Sequence, residues 1–519
     1  MAASQVAATV ALPASGRRLI GTLALSLATF MCVLDISIAN VSITAIAGAL
    51  GASPSQGTWV ITSFGVANAI SLPLTGWLAQ RFGTLRLFVA SVLLFTTASF
   101  LCGISTSIEA LVLCRVLQGA VAGPMIPLCQ ALLLRSHPPD RIGQALTILA
   151  LTTLVAPVIG PLLGGWLTDN WSWHWIFLVN VPVGVVCGLV AGWAFRPLET
   201  AIRRVPVDGI GFGLLVLWVG ALQLMLDLGR ERDWFGSPDI IVLALIAGVG
   251  LVLFITWELI VPEPVVELRL FRSRNFLVGS VAMGLAYALF LGNLVLLPLW
   301  LQQHLGYTAT LAGLALAPVG LLAIAIAPLV GRVVSRHDPR WLAGGAFIVF
   351  AFSLWLRSRF STEVDFLTVA TPSLVQGLGN AMFFVPLLAI ILGGLPADRI
   401  ASGSGLSNSL RYTLGAFGTS LMTTAWDRRA AVHREWLIGA IDEGRPGFTE
   451  FAGQLAQAGL SPVQQLALAD RLIQQQAYTL AADDLFRFSA AAFVLLIGLL
   501  LFAEAPRRAA PEDAPRRTG

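Results

Sequence analysis

Apolar runs of about 20 residues follow one another along almost the whole chain, parted by short charged or Gly/Pro-containing turns. A run of that length crosses a bilayer as a helix. Lipid offers the backbone no hydrogen bonds, so helices that satisfy their own polar groups are the expected form. Dividing the chain at the turns gives about fourteen spans. They fall at 19–46, 56–80, 86–105, 108–134, 142–167, 174–196, 208–228, 238–260, 276–303, 308–334, 340–356, 365–392, 402–424 and 486–503. Composition agrees: 56% of residues are hydrophobic and 12% charged, where a soluble domain carries roughly 25% charge. The expected fold is therefore an all-α integral membrane protein in contact with the lipid bilayer. The five cysteines lie in apolar runs without metal-type spacing and read as packing residues. Nothing points to a metal, an organic cofactor or a nucleic-acid partner. Met1 to Gly16 has no charged leader region and no cleavage site, so the first helix is expected to remain as an anchor.

All 32 basic residues are arginine. With a cytoplasmic N-terminus, inner loops receive Arg81, Arg86, Arg135, Arg141, Arg332, Arg336 and Arg399 among others. Short outer loops receive only Arg230, Arg232, Arg357 and Arg359. That imbalance places both termini in the cytoplasm. Trp166, Trp171, Trp173 and Trp175 cluster where spans five and six meet outside, as an interfacial aromatic belt does.

The chain also repeats itself. Pro73-Leu-Thr-Gly76 with Arg81 recurs as Pro328-Leu-Val-Gly331 with Arg336; Gln118-Gly119 recurs as Gln376-Gly377; Asp140-Arg141-Ile142 recurs as Asp398-Arg399-Ile400. The offsets are 255 to 258 residues. Two homologous six-helix bundles follow, at 19–196 and 276–503, with a two-helix insert at 208–260. Parallel repeats of this kind typify transporters that rock two halves around a midplane site.

One acid, Asp35, sits inside the first span, and no basic residue lies between Arg18 and Arg81. A carboxylate at that depth costs at least ~2.5 kcal/mol and is tolerated mainly in a bundle interior or along a water path. Asp35 is expected ~24 Å from the inner face, and Arg115 of span four ~20 Å from it. Arg115, Gln118, Gly119 and Ala122 share one helical stripe. Burial favours the neutral acid and a guanidinium favours the carboxylate, so a motion that separates the two loads or releases a proton. A static pair that only fixes helix packing is the competing reading. The second half has Ser373 at the place of Arg115, which favours function, since a purely architectural charge is expected in both halves.

Gly160-Pro161-Leu-Leu-Gly164-Gly165 in span five admits close helix approach and weakens the helix ladder. Gating and simple tight packing both account for it. Arg411 in span thirteen reads equally as a contact for an anionic substrate, a partner for the other half, or a snorkelling residue. Candidate cavity residues are Phe64, Tyr287, Phe290, Phe383 and Phe384, with Asn293 as the better polar candidate. Asp227 and Glu258 are expected at solvated span ends, and His174 at the interface. The outer segment 426–485 is polar and Gln-rich, with an apolar stripe of Val432, Trp436, Leu437 and Ile441 and a Ser461-Pro462 cap signal. Two or three short surface helices are expected there, serving as a docking platform or as a cap on the membrane surface or outer mouth.

These motifs resemble the major facilitator superfamily, and within it the fourteen-helix drug/proton antiporters. Leu34-Asp35-Ile-Ser-Ile-Ala-Asn40-Val41 resembles that group's first-helix motif, which implicates Asn40 as well. Gly76-Trp-Leu-Ala-Gln80-Arg81-Phe-Gly83 resembles the superfamily's loop between spans two and three. Arg115-Val-Leu-Gln118-Gly119 resembles the proton-transfer motif of span four, and the span-five glycines resemble the antiporter motif. Trp175 to Pro182, and Leu226-Asp227 with Asp233-Trp234-Phe235, are similar to EmrB-type multidrug exporters. The resemblance implies a major facilitator fold and a proton-driven antiporter of amphipathic drugs in the bacterial inner membrane. The proton is then the coupling ion, and an EmrA-type periplasmic adaptor and a TolC-type outer-membrane channel are the partners. One departure stands out: Gln80 replaces the usual acid of the loop, and Thr84 and Leu85 replace further basic residues. A transporter of one specific metabolite is the second reading. A membrane-embedded enzyme or a sensor is the third, against which stand the missing nucleophile, base or metal constellation and the short inner loops.

Overall fold

The computed structural model describes residues 14–504 apart from 139–140, 204–205, 335–336, 397 and most of 441–460. Among the described residues the regular structure is helical. Within the described residues ten helices are long and apolar enough to cross a membrane, or eleven if one bent pair counts as a span.

The N-terminal half starts with α1 (Ser15–Val41) and a short α2 (Ile43–Ala49), followed by α3 (Pro54–Ser71) and α4 (Thr75–Phe82). The sequence reads 56–80 as one span. The structure breaks it by 64° at Leu72 to Leu74, where Pro73 removes a ladder hydrogen bond. Next come α5 (Thr84–Gly103), α6 (Ile108–Ala122), α7 (Met125–Ser136), α8 (Ile142–Asn170), α9 (Trp175–Leu178) and α10 (Asn180–Phe195). Ser53 and Gln56 form a capping box on α3, and Ser107 caps α6 through the Ala110 N–H. Within this half α1 packs on α8 and α10, α3 on α6, and α5 on α6 and α10.

The insert is α11 (Gly209–Gly229) paired with α12 (Pro238–Ile260). Glu258, expected to be solvated, is instead fully buried and accepts the Val266 N–H at 3.1 Å. The segment after α12 folds back over it and shuts out solvent.

The C-terminal half consists of α13 (Arg274–His304), α14 (Ala309–Val334), α15 (Pro339–Arg357), α16 (Phe366–Leu392), α17 (Ile400–Ala440) and α18 (Pro462–Leu500). Its pairings echo the first half: α14 packs on α16, α15 on α16 and α18, and α13 on α17 and α18. Ser461 and Gln464 form the expected capping box on α18, with Pro462 at the first helical position. Two expectations fail here. Segment 426–485 does not begin and end in short surface helices, because α17 runs on to Ala440 and α18 already starts at Pro462. Arg429 and His433 both bond Asp484, Arg434 bonds Asp470 at 2.7 Å, and Trp426 donates to the Tyr478 carbonyl at 2.9 Å. These contacts zip the two helices into a hairpin. Trp436 remains 66% exposed on it, while Ile441 lies outside the described residues. Arg357, assigned to an outer loop by sequence, is the last residue of α15 and is fully buried.

The halves meet at the arginine-rich end. A Cβ on Gly76 would overlap Ser402, and one on Gly143 would overlap the Gly331 carbonyl. Gln130 of α7 accepts from Ser404 and, at 2.9 Å, from Asn408 of α17.

Candidate functional site

Four helices converge on Asp35. Arg115 of α6 donates from Nη1 to Asp35 Oδ2 at 2.5 Å, and both side chains are 0% exposed. Gln118, one turn further along α6, donates to Asp35 Oδ1 at 3.1 Å and accepts from Arg115 at 2.8 Å. Asn180, the first residue of α10, donates to the same Oδ1 at 2.8 Å and to Ser99 of α5 at 3.0 Å. The guanidinium is held in turn: its Nε donates to the Val60 carbonyl at 2.9 Å, and the Phe64 ring lies 4.2 Å from Cζ. Arg115 and Gln118 of α6 and Asn180 of α10 thus hold both carboxylate oxygens from two separate helices.

Glycines let the helices come this close. A Cβ on Gly119 would overlap the Phe64 carbonyl, pressing α6 onto α3. On α8, a Cβ on Gly160 would overlap Ser37, and one on Gly164 would meet Ile38 at 2.8 Å. Both glycines therefore seat α8 against the turn of α1 just past Asp35. Pro161 lies in the same helix. Gly165 has open space around it and takes no part in this contact.

The candidate substrate residues scatter. Arg411 of α17 is 6% exposed and sits among the rings of Tyr412, Tyr287 and Phe384 at 4.6, 4.9 and 5.4 Å. Tyr287 and Arg411 thus form one aromatic cage. Phe383 does not join it; its ring packs between Phe347, Phe350 and Phe384 within the second half. Asn293 is buried in the same half and donates to Ser489. Asn40 is exposed at the end of α1, away from the Asp35 cluster.

A cavity of about 650 Å³ lies at the arginine-rich end instead, lined by Trp77, Gln80, Arg135, Glu199 and Arg399 among others. It shows how the chain copes with Gln80. Gly83 turns the loop with φ +88°, which glycine alone adopts easily. Glu199, from the linker to the insert, accepts the Leu85 and Arg86 N–H groups at 3.1 and 2.9 Å. This acid complements the N-terminus of α5. Arg81 lies over the Trp77 ring at 5.3 Å, and the Gln80 carbonyl accepts the Arg203 N–H at 2.9 Å.

Asn180 and Ser99 were missed as site residues. The available signal was an asparagine inside an apolar span, directly after the interfacial tryptophans.

A sequence model of the Major Facilitator Superfamily matches residues 25–419. The multidrug export protein EmrB of Haemophilus influenzae is 51% identical over 492 residues, covering 95% of this chain and 96% of that protein. EmrB of Escherichia coli K12 is 46% identical, covering 95% and 97%. The fatty acid resistance protein FarB of Neisseria gonorrhoeae is 45% identical, covering 93% and 96%. Among solved structures, the human organic anion transporter MFSD10 matches with a TM-score of 0.56 at 14% identity, covering 94% of this chain and all of that one. At that identity the likeness is one of fold.

Proposed function

Since this chain belongs to the Major Facilitator Superfamily, among relatives that are EmrB multidrug export proteins, we propose that it is a multidrug efflux transporter driven by protons through Asp35. The family is one of transporters, which sets aside the enzyme and sensor readings. The observation that carries the proton reading is the wholly buried Asp35 carboxylate, gripped by donors from α6 and α10. Donors on separate helices can be withdrawn by rocking, and withdrawal favours protonation. Protonation from one side and release to the other, in step with the rocking, couples proton entry to drug exit. The contacts of Gly76 and Gln130 with α17 close the arginine-rich end, and the cage around Arg411 supplies aromatic faces and a charge for amphipathic substrates.

The finer topology belongs to this proposal: fourteen spans with both termini cytoplasmic, halves at 19–196 and 276–503, and the insert at 208–260, in a bacterial inner membrane. The hairpin of α17 and α18, with Trp436 exposed, then stands on the outer side. It offers an EmrA-type adaptor a docking surface, and through the adaptor a TolC-type channel. The test is a resistance screen of an exporter-deficient strain expressing this chain, across cationic, neutral and acidic compounds, with and without a protonophore. Resistance to several chemically unrelated compounds that the protonophore abolishes supports the reading. Resistance confined to one metabolite, or indifferent to the protonophore, contradicts it.

A further inference from the structure

The two-helix insert is not shared evenly between the halves. α11 packs on α12, on α3 of the first half and on α17 of the second, so it lies over the seam where α3 meets α17. α12 covers its other side and turns Leu245, Val249 and Val252 outward.

Toward the second half the contacts are polar and directional. One stripe of α17, stepping by one helical turn, takes the end of α11 remote from the arginine-rich end. Ser420 donates to the Leu226 carbonyl at 3.1 Å, Thr424 accepts from the Trp234 indole at 3.0 Å, and Asp427 accepts from Arg230 at 3.0 and 3.4 Å. The turn that delivers Trp234 is strained. Asp233 and Trp234 have φ +54° and +48°, a region that residues with a side chain rarely enter, and such strain persists only where the surroundings hold it. A Cβ on Gly229 would meet the Trp234 ring at 2.8 Å, so the indole is wedged between α11 and α17. At the arginine-rich end the insert is bound to the segment that leads into the same half: Glu258 of α12 accepts the Val266 N–H at 3.1 Å, and Glu267 pairs with Arg399 at 3.2 Å.

Toward the first half the contacts are mostly apolar. Leu215 and Val219 of α11 join the apolar cluster that holds Ala69 and Leu74, and the polar contact is Asp227 beside the Thr62 hydroxyl of α3. The chain between α10 and α11 is tied to α4, through the Arg203 N–H and the Pro206 carbonyl. Residues 199–203 and 206–208 of that chain are not helical, which leaves it free to flex. Hydrogen bonds fix a register, whereas apolar faces permit the small sliding of packed helices.

We propose that the insert is a lateral seal that moves with the second half: α11 stays docked on α17 while α3 slides beneath it, which keeps the seam between α3 and α17 closed to lipid as the halves rock. This rests on the rocking motion of the efflux reading. The contact of Asp227 with Thr62 then belongs to the state in which the arginine-rich end is closed. The seal gives a role to Leu226-Asp227 and Asp233-Trp234, which the proton site leaves unused.

The test uses the full-length protein in vesicles, with the pairs Arg230→Cys/Asp427→Cys and Thr62→Cys/Asp227→Cys each joined by a short reducible bis-thiosulfonate. The parent, treated in the same way, controls for the native cysteines. Joining 230 to 427 should leave drug efflux at the unjoined rate. Joining 62 to 227 should arrest it, and a reductant should restore it. Arrest by the 230–427 link, or free transport through the 62–227 link, would overturn the proposal. Spin labels at the same pairs give a reading that needs no transport, in purified protein with and without drug. The 230–427 separation should be single and narrow throughout, and the 62–227 separation should shift or spread. A spread at 230–427, or a 62–227 separation as narrow and constant, would overturn the seal. Absence of drug transport in the parent would sink the efflux reading instead, and the spin labels would still decide the seal.

Discussion

Arg115 Nη1 stands 2.5 Å from Asp35 Oδ2 with neither side chain reached by solvent. Truncating one partner of a buried pair typically costs ~3–5 kcal/mol because the other charge is left behind. The second half buries an arginine too: Arg357 is wholly buried and donates to Gln376 and Ser373. The asymmetry read from Ser373 at the place of Arg115 is therefore weaker than the sequence suggests. Both halves bury an arginine, and among the described residues the one in the first half is paired with an acid while Arg357 is not.

Arg115→Lys is expected to restore part of the transport that Arg115→Ala loses. Arg115 serves Asp35, Gln118 and the Val60 carbonyl from one planar fork, and a lysine ammonium cannot cover all three directions. Efflux rates at matched expression decide this. Full activity in the lysine variant would show that a point charge suffices.

Gly143→Leu should block closure of the arginine-rich end, since any side chain there meets the Gly331 backbone. Cysteines placed near Gln130 should then react faster with a membrane-impermeant thiol reagent from the cytoplasmic side, and drug resistance should fall. Unchanged labelling would mean that α8 and α14 do not part in the cycle.

Asp338 gives a pH signature outside the membrane. Hydrogen bonds from Arg340 hold its carboxyl below the usual carboxylate range, and it caps α15 through the Arg340 N–H at 3.0 Å. A depressed native value stabilises the fold above the ordinary carboxylate range and loses that effect as pH falls through the native value. Asp338→Ala should cost ~1 kcal/mol at neutral pH, and the gap from the parent should close in strong acid. A gap that persists there would contradict the cap assignment.

Replacing 430–480 by a short Gly/Ser linker should leave proton-linked transport in vesicles intact and abolish adaptor co-purification and cellular resistance. Adaptor capture by the replaced protein would make the hairpin a lid or surface element.

Much of this was legible in the sequence because lipid leaves few options. Span length and motif spacing located Asp35, Arg115 and Gln118, whose one-turn stripe on α6 brings them to one carboxylate. Asn180 was harder to see, since nothing local says that the start of α10 faces α1. The break at Pro73 needed tertiary contacts with α17 to show its purpose. Arg357 was misplaced because charge counting puts a span-end arginine in water, whereas Gln376 draws this one inward. The hairpin of α17 and α18 was misjudged because its polar residues, Asp470 and Asp484, are cross-helix partners and not loop signals.

The central claim is that Asp35 carries the coupling proton. Membrane vesicles of inverted orientation, acidified inside by respiration, should lose part of their pH gradient when a drug from the resistance panel is added. Asp35→Asn protein, expressed to the same level and eluting as the same species in detergent, should leave the gradient untouched. Drug-induced gradient loss at the parent's rate in Asp35→Asn would contradict the account.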